Sequence, residues 1–486
     1  MELDPQICYA AIQSRDSRFD GRFFTAVQTT GIYCRPICPA QTPRPENVRF
    51  YISATAAAEA GFRPCLRCRP ESSPGTPDWQ GPSSTVSRAL RLISEGVLDD
   101  SGVDTLARRL HVGPRQLRRL FVAHLGAPPI AVAQTRRLHF AKKLIDETNL
   151  PMSEIAFGAG YSSIRRFNDA IQEVYDRSPT ELRRVKKDKQ SNGAGNIQLK
   201  LSYRPPFDWL FFLRFLQYRA IPGVESVSDG RYRRVVQVDN SAGIIEVRLI
   251  EDSPQLLLSV PPSLSKGLMR ISEQVRTLFD LRADPAIITG HLERDDRLAT
   301  LTQRYPGLRV PGAWNGFELA IRAILGQQIT IQAANTLAGR LVKAYGEPLP
   351  DATDDDLATL FPRPESLAEA TLADIGLMPR RAEAIRSLAQ AVSDGRLLFD
   401  TAIGLEQSVE QLTALPGIGP WIAHYIAMRA LNEPDAFPAG DLALRRAAAN
   451  SKTTMLTEAQ LRRRAEAWRP WRAYAAMYLW RHYATL

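Results

Sequence analysis

Cysteine, lysine and long apolar runs are each missing from large parts of this 486-residue sequence. No cysteine follows Cys68, so residues 69–486 cannot hold an iron–sulfur cluster through four thiolates, and no such cofactor is expected. No apolar run approaches the ~20 residues that cross a bilayer, and the polar, acidic N-terminus does not have the pattern of a signal peptide. We therefore expect a cytoplasmic protein without a membrane partner.

Charge is spread unevenly along the chain. The formal net charge is +10, and residues 79–187 carry 18 basic against 11 acidic side chains, which places most of the excess there. Concentrated positive charge favours a polyanion such as the phosphate backbone of DNA, although a basic surface that serves only solubility would look the same. The length of the chain, with 44% apolar and 23% charged residues, predicts three or more folded domains.

Four of the five cysteines form two close pairs near the N-terminus. Cys34 and Cys38 are separated by three residues, and Cys65 and Cys68 by two. Four thiolates at this spacing in a reducing compartment predict a tetrahedral site for one Zn²⁺ rather than disulfides. Four arginines flank these ligands and could bring a phosphate close to the sulfur atoms: Arg35, Arg63, Arg67 and Arg69. Of these, Arg35, Arg63 and Arg67 are expected to contact DNA.

The residues around these cysteines resemble the N-terminal domain of the Ada methylation-response family. The similar stretches are TTGIYCRPIC, ENVRFY and AGFRPCLRCRP, at residues 29–38, 46–51 and 60–70. The resemblance implies that a zinc-bound cysteine, here Cys34, irreversibly accepts a methyl group from a DNA phosphotriester. Zinc coordination would keep its sulfur as the reactive thiolate. A structural zinc domain without methyl transfer is the alternative.

The basic segment contains a repeated helix-turn-helix pattern. Residues 103–121 show apolar positions on two short helices around a Val-Gly turn, and residues 152–167 repeat that pattern. Two such units joined by a helix around residues 138–145 resemble the AraC-type DNA-binding domain; plain packing of three helices is the alternative. The resemblance implies that side chains of each second helix enter successive major grooves: Arg115, Gln116, Arg118 and Arg119, then Ser162, Ser163, Arg165 and Arg166.

A Pro-Gly-Ile-Gly turn at residues 416–419 lies between two apolar helical segments of the C-terminal region. Two glycines one residue apart allow positive φ and a close approach of the backbone, so the turn and the following helix N-terminus could bind a phosphate. Asp441 follows in a loop before another helix. An aspartate at such a place is ordinarily an N-cap, which is the alternative to a role in catalysis.

Periodicity gives a coarse outline of the last three hundred residues. Strand and helix patterns between residues 197 and 279 predict the order βαβββα. From residue 314 onward the pattern is helical, with helices expected near residues 366–377 and 458–482 among others. This arrangement predicts a small α+β layer followed by a helical domain.

Residues 197–486 resemble DNA-3-methyladenine glycosylase II, the AlkA-like family of helix-hairpin-helix glycosylases. The stretches AILGQQI, LPGIGPWIAHYIAMRAL and WRPWRAYAAMYLW carry most of the resemblance. It implies Asp441 as the catalytic carboxylate beside an aromatic cleft for a flipped base. Lyase-active relatives carry a lysine in or just after the hairpin, and residues 344–451 contain none, so a monofunctional glycosylase is expected. The resemblance assigns the cleft to Trp421, Tyr425 and Trp480, and phosphate binding to the backbone of Gly417, Ile418 and Gly419. The chain departs from the family's pattern at the wedge that fills the gap left by the flipped base, because Gln327 and Gln328, with Ile329 next, follow Gly326. A polar glutamine can fill that gap but stacks less well than leucine, and Gln328 is the residue expected there.

The expected fold is multidomain and mainly α. Residues 1–78 form a small zinc-bound α+β domain and residues 80–187 an all-α double helix-turn-helix domain. After a linker at residues 188–196, residues 197–308 form an α+β subdomain and residues 309–486 an all-α helix-hairpin-helix glycosylase domain.

The expected function joins repair of alkylated DNA to transcription regulation. A transcription factor that senses methylation damage but has an inactive C-terminal domain is the alternative. Expected partners are damaged and promoter double-stranded DNA, with RNA polymerase as a candidate, and the protein is expected to be a monomer.

Overall fold

The computed structural model describes residues 3–74, 85–184, 195–350, 356–399, 403–449 and 454–484. Helices dominate these ranges and two small sheets accompany them, which confirms the expected mainly α, multidomain fold. No helix in the described ranges is long and apolar enough to cross a membrane. The linker predicted at residues 188–196 lies outside the description up to residue 194.

The N-terminal residues form a four-stranded sheet and two helices: α1 (Pro5–Ser14), β1 (Phe24–Val27), β2 (Ile32–Cys34), β3 (Val48–Tyr51), α2 (Ala54–Glu59) and β4 (Arg63–Pro64). The strand order is β3-β1-β2-β4, and β2 and β4 run parallel. Cys34 is the last residue of β2 and Cys65 directly follows β4. Because these parallel strands are neighbours, the two cysteine pairs meet at one end of the sheet.

Residues 85–184 are helical: α3 (Thr85–Ser94), α4 (Val97–Asp100), α5 (Val103–Arg109), α6 (Pro114–Leu125), α7 (Pro129–Glu147), α8 (Met152–Gly158), α9 (Ile164–Tyr175) and α10 (Pro179–Arg184). Helices α5 and α6 form the first helix-turn-helix unit and α8 and α9 the second, with the 19-residue α7 between them. Leu117 and Phe167, which occupy equivalent positions of the repeat, are both fully buried. The two units of the predicted repeat therefore bury residues at equivalent positions.

The next layer is α+β: β5 (Ile197–Ser202), α11 (Trp209–Gln217), β6 (Glu225–Ser228), β7 (Arg231–Val238), β8 (Ser241–Leu249), β9 (Gln255–Val260) and α12 (Leu268–Leu278). Its five antiparallel strands have the order β5-β9-β8-β7-β6. The sequence pattern missed the edge strand β6, so the predicted order βαβββα was one strand short. Its residues, ESVS, contain a single apolar side chain, and the strand forms by pairing with β7.

Helices make up the remainder: α13 (Pro285–Leu292), α14 (Asp296–Arg304), α15 (Gly316–Leu325), α16 (Ile331–Tyr345), α17 (Pro364–Ala368), α18 (Pro379–Ser393), α19 (Leu405–Thr413), α20 (Pro420–Arg429), α21 (Leu442–Ala447), α22 (Glu458–Ala465) and α23 (Arg472–Tyr483). The helix expected at residues 366–377 ends at Ala368, because Leu372 and Gly376 both adopt positive φ. The helix expected at residues 458–482 is divided into α22 and α23, and Pro470 lies between them.

The segments pack directly against one another. One cluster of buried apolar side chains runs from Leu138 in α7, through the second helix-turn-helix unit and the five-stranded sheet, to Leu281. The N-terminal segment also contacts the helical C-terminal segment, since Arg22, just before β1, forms an ion pair with Asp284, the N-cap of α13, at 2.6 Å. The helical segment at residues 85–184 and the α+β layer therefore share one hydrophobic core.

Candidate active site and metal centre

The four clustered cysteines are arranged to bind a metal ion. The Sγ atoms of Cys34, Cys38, Cys65 and Cys68 all lie within 4.8 Å of one another. Four sulfurs around a tetrahedral zinc, each at about 2.3 Å, stand about 3.8 Å apart, so this donor set fits one Zn²⁺. Cys65 and Cys68 are buried, whereas Cys34 and Cys38 are half-buried. A large substrate can therefore reach Cys34 or Cys38 more readily.

Arg35, which was predicted to contact DNA, is bound to other residues of the zinc domain in this structure. Its Nε donates to Oδ1 of Asp20 at 2.8 Å, and its Nη1 donates to the carbonyl oxygen of Cys68 at 3.1 Å. The backbone N–H of Arg35 donates to Sγ of Cys68 at 3.3 Å. Because Asp20 neutralises its charge and the side chain is only 11% exposed, Arg35 holds the second cysteine loop in place rather than presenting a cation to phosphate.

Arg63 and Arg67, the other two arginines predicted to contact DNA from the zinc domain, are exposed. Nη1 of Arg63 forms an ion pair with Oδ2 of Asp176 at 2.5 Å, which links the zinc domain to the second helix-turn-helix unit. Arg67 is exposed and has no ion pair among the described residues. Of the three arginines predicted to meet phosphate, Arg67 is the one whose charge is available in this arrangement.

The second helices of the helix-turn-helix units present their predicted side chains in different ways. Ser163 is the N-cap of α9, because its Oγ accepts the backbone N–H of Arg166 at 3.2 Å. Its hydroxyl therefore stabilises the helix. The remaining predicted residues are exposed: Arg115, Gln116, Arg118 and Arg119 on α6, Ser162 before α9, and Arg165 and Arg166 on α9.

The turn between α19 and α20 forms a helical hairpin with two unoccupied backbone donors. Gly417 has φ +76°, and a Cβ there would lie 2.6 Å from the Cβ of Ala384, so only glycine fits. Ile418 is 4% exposed, and its N–H donates to the carbonyl of Leu415 at 3.3 Å. The N–H groups of Gly417 and Gly419 have no acceptor among the described residues. Of the three predicted N–H contacts, the one from Ile418 is thus already used within the turn.

Asp441 is both an N-cap and the centre of an aromatic hydrogen-bond network. Its Oδ1 accepts the backbone N–H of Leu444 at 2.9 Å, as a cap of α21 does. Oδ1 also accepts the indole N–H of Trp480 at 3.0 Å, and Oδ2 accepts the indole N–H of Trp421 at 3.0 Å. The two roles weighed from the sequence therefore coexist. Three donors orient the carboxylate, and spare lone pairs remain on its oxygens.

Three aromatic rings cluster beside this carboxylate, where the resemblance places the cleft. Trp421 and Tyr425, four residues apart on α20, are nearly parallel, with ring centroids 5.5 Å apart and an interplanar angle of 5°. Trp480 meets Tyr425 edge to face at 6.3 Å. All three are half-buried. The structure thus brings Trp421, Tyr425, Trp480 and Asp441 together as the resemblance implied.

Arginines behind Tyr425 were not found from the sequence. Nη1 of Arg429 donates to the Tyr425 hydroxyl at 2.8 Å, and Arg219 stacks on the Phe215 ring at 3.8 Å. Burial alone would raise the pKa of Tyr425, but the charges of Arg429, Arg219 and Arg322 and the hydrogen bond from Arg429 lower it to about 8. Arg429 could have been found by its spacing of four from Tyr425. Phe215 and Arg219 come from the distant α11 region, and no local pattern points to them.

Other polar and aromatic residues near the cleft are structural. Nδ1 of His424 faces the backbone N–H of Phe437 at 3.4 Å, and burial, helped by neighbouring arginines, lowers the pKa of His424 to about 4. It is therefore a neutral acceptor at pH 7. Trp471 and Tyr474 are 5% and 6% exposed and belong to the core.

The two glutamines of the loop between α15 and α16, Gln327 and Gln328, have different surroundings. Nε2 of Gln327 donates to the carbonyl oxygen of Gly417 at 2.7 Å, and Arg381 donates to the carbonyl oxygen of Gln327 at 2.6 Å. Gln327 thus ties the loop to the hairpin. Gln328 is exposed and has φ +55°, an unfavourable conformation for a residue with a side chain. Its position suits a side chain that projects into DNA, which supports Gln328 over Gln327 as the wedge.

Four family profiles match the chain in succession. They are described as the metal binding domain of Ada at residues 7–71, a helix-turn-helix domain at residues 106–185, the AlkA N-terminal domain at residues 198–315 and the HhH-GPD superfamily base excision DNA repair protein at residues 321–473. These matches confirm the resemblances seen in the sequence.

Similar proteins extend these matches to the whole chain. A probable bifunctional transcriptional activator/DNA repair enzyme AlkA of Mycobacterium tuberculosis is 43% identical over 487 residues, which cover 99% of this chain and 97% of that protein. DNA-3-methyladenine glycosylase 2 of Escherichia coli is 36% identical over 287 residues, 58% of this chain and 95% of that protein. A solved 3-methyladenine DNA-glycosylase from Archaeoglobus fulgidus shares the fold of the C-terminal part, with a TM-score of 0.51 over 59% of this chain and 98% of that one, at 23% identity.

The similarity extends over nearly the full length of both chains. The four family profiles match successive segments of this chain, which supports the same classification. This chain belongs to the AlkA family of bifunctional transcriptional activator/DNA repair proteins.

Proposed function

We propose that the C-terminal half hydrolyses the N-glycosidic bond of alkylated bases of the 3-methyladenine type in double-stranded DNA and leaves an abasic site. The observation that carries the proposal is the carboxylate of Asp441, held by the indole N–H groups of Trp421 and Trp480 at 3.0 Å each at the wall of the aromatic cleft. The names of the similar glycosylases support the same substrate class.

The chemistry follows from this arrangement. A flipped alkylated purine carries positive charge on its ring, and the faces of Trp421 and Tyr425 attract such a cation. As the glycosidic bond breaks, positive charge develops on the sugar, and the Asp441 carboxylate stabilises it or orients the attacking water. The aromatic N–H donors fix that carboxylate in one orientation before the substrate binds.

The hairpin and the α15–α16 loop hold the DNA during flipping. The unoccupied N–H groups of Gly417 and Gly419 bind a backbone phosphate, and Gln328 fills the gap that the flipped base leaves. Because residues 344–451 contain no lysine, the hairpin and the chain just after it supply no amine for strand cleavage, so the product is an intact strand with an abasic site.

The deciding experiment compares Asp441→Asn with the wild-type protein in release of 3-methyladenine from alkylated duplex DNA. Asparagine is a good N-cap, so this change removes the charge while the cap of α21 is kept. We expect base release to fall by about a hundredfold or more with little change in DNA affinity. Asp4→Asn, at the N-cap of the remote α1, is the matched control. Absence of base release by the wild-type protein would contradict the proposal and leave a transcription factor with an inactive C-terminal domain.

We further propose that the N-terminal domain binds one Zn²⁺ as its only cofactor and that Cys34 accepts a methyl group. Bound zinc keeps the four cysteine sulfurs as thiolates at neutral pH. Sγ of Cys34 attacks the methyl carbon of a methylphosphotriester, the methyl C–O bond breaks, and the phosphodiester anion leaves. Burial of Cys65 and Cys68 supports one of the two half-buried sulfurs, and the Ada resemblance favours Cys34 over Cys38.

Peptide mass spectrometry after exposure to methylphosphotriester DNA tests the acceptor. We expect one added methyl group on the peptide that carries Cys34, with Cys8→Ser, outside the metal cluster, behaving like the wild type. An unmodified Cys34 would leave a structural zinc domain.

The helical segment at residues 85–184 completes the proposal as a promoter-binding domain. The exposed Arg118 and Arg119 of α6 and Arg165 and Arg166 of α9 contact DNA, and RNA polymerase is the candidate partner in activation. Methylation of Cys34 removes negative charge near the DNA and thereby strengthens promoter binding. We propose a monomer in which residues 1–78, 80–187, 197–308 and 309–486 are the functional units.

A further inference from the structure

Two arginines lie next to Tyr425 and were not assigned a role above. Arg429 is 4% exposed and donates to the Tyr425 hydroxyl at 2.8 Å, and its other nitrogens donate to the carbonyl oxygens of Pro311 and Gly312. Arg219, half-buried, stacks on Phe215 and acts on the same hydroxyl. We name Arg219 and Arg429 the rear arginines.

The rear arginines have no carboxylate partner among the described residues. Two buried carboxylates that line the same small cavity as the rear arginines, Glu225 and Glu318, are already shared between Arg234 and Arg322 at distances of 2.8 to 3.7 Å. Those four charges balance one another. Two further cations in a largely buried site are unfavourable unless an anion faces them.

The phenolic oxygen of Tyr425 accepts a hydrogen bond from Arg429, and the charge of Arg219 also acts on it, so both rear arginines stabilise a negative charge there. The other charges around it are Arg322 on α15 and Asp441 before α21, whereas α23 contributes the uncharged Trp480. The Asp441 carboxylate is turned toward the two tryptophans by its hydrogen bonds. A negative charge on the Tyr425 oxygen would therefore offset one of the two positive charges of the rear arginines.

We propose that Tyr425 releases its phenolic proton to solvent when a cationic base occupies the cleft, and that the resulting phenolate makes the site select positively charged alkylpurines over neutral bases. Tyr425 is then a specificity-determining residue, because its ring contacts the base while its oxygen is held by the rear arginines. The selectivity rests on the glycosylase function proposed above; the ionisation of Tyr425 does not. The lowered pKa of Tyr425, about 8, is consistent with this arrangement.

Ultraviolet difference titration tests the ionisation without DNA or activity. The chain has 14 tyrosines, so the wild-type spectrum minus that of Tyr425→Phe isolates one of them. We expect one tyrosinate to appear between about pH 7 and 9, about two units below an ordinary tyrosine. Arg219→Gln should move this titration upward, whereas Arg219→Lys, which keeps the charge, should leave it in place. A difference spectrum with no tyrosinate below about pH 9 overturns the proposal.

Excision kinetics test the selectivity. The ratio of single-turnover rates for 3-methyladenine, which is cationic in DNA, and neutral 1,N6-ethenoadenine should rise about tenfold from pH 7 to 9 in the wild-type protein. In Tyr425→Phe the ratio should not change with pH. A wild-type ratio that is equally independent of pH refutes the selectivity. Failure to release either base at any pH refutes the glycosylase function instead, and the spectral titration still decides the state of Tyr425.

Discussion

Trp480 donates its indole N–H to Oδ1 of Asp441 at 3.0 Å, so one side chain both lines the cleft and orients the carboxylate. Trp480→Phe keeps an aromatic face and removes this donor. A hydrogen bond to a charged group contributes about 1.5–3 kcal/mol, so we expect the single-turnover rate of base release to fall about 10- to 100-fold. Trp421→Phe should behave alike. Unchanged rates in both variants would show that the donors do not position the carboxylate.

Gly417 and Gly419 offer a matched pair for testing the hairpin. Gly417→Ala places a Cβ at φ +76° and 2.6 Å from the Cβ of Ala384, so it should lower the free energy of unfolding by about 1–3 kcal/mol and weaken DNA binding. Gly419→Ala meets no atom within 4 Å, has φ −88° and keeps its N–H, so stability and affinity should change little. Denaturant titration and DNA binding distinguish the two. Equal effects would contradict the backbone argument.

Acid should destabilise the protein through His424. Its folded pKa of about 4 lies below the ordinary 6.5, so the unfolded chain binds a proton more readily than the folded one. Stability is therefore unaffected well above pH 6.5, is lost as the pH falls below it, and levels off below about pH 4. The expected loss is about 1 kcal/mol per pH unit in that window.

Denaturant unfolding at pH 7 and pH 5 measures this loss. In His424→Gln, which keeps an acceptor for the Phe437 N–H, the part due to this residue should disappear. An identical pH dependence in wild type and variant would assign the effect to other groups.

Gln328→Gly should raise stability and lower activity at the same time. Glycine adopts φ +55° without strain, which favours the folded state by about 1 kcal/mol. The variant also lacks the side chain that fills the gap in the DNA, so base release from duplex should slow. Release from single-stranded substrate, where no gap forms, is the control and should change much less. A variant as active as the wild type on duplex would remove Gln328 from the wedge role.

The site residues that the sequence could predict are those set by short spacing. Trp421 and Tyr425 share a face because they are four apart on one helix, and each cysteine pair is fixed by its own tight turn. The two helix-turn-helix units could also be predicted from the sequence, because their pattern depends on residues that are close together in the chain. Their apolar positions recur along a single stretch of chain, and those positions are buried.

What the sequence could not predict depends on contacts between distant segments. Arg35 was expected at the DNA, but Asp20, on a turn outside its motif, neutralises it. Arg219 reaches Tyr425 from about two hundred residues away, and β6 exists only because β7 pairs with it. Contacts of this kind depend on tertiary packing, and they produce no periodic pattern in the sequence.

The apolar cluster from Leu138 to Leu281 also couples the stability of the two halves of the chain. Side chains of the second helix-turn-helix unit and of the α+β layer exclude water together, so loss of either surface exposes apolar side chains of the other. A substitution that destabilises one side of the cluster should therefore also destabilise the other side.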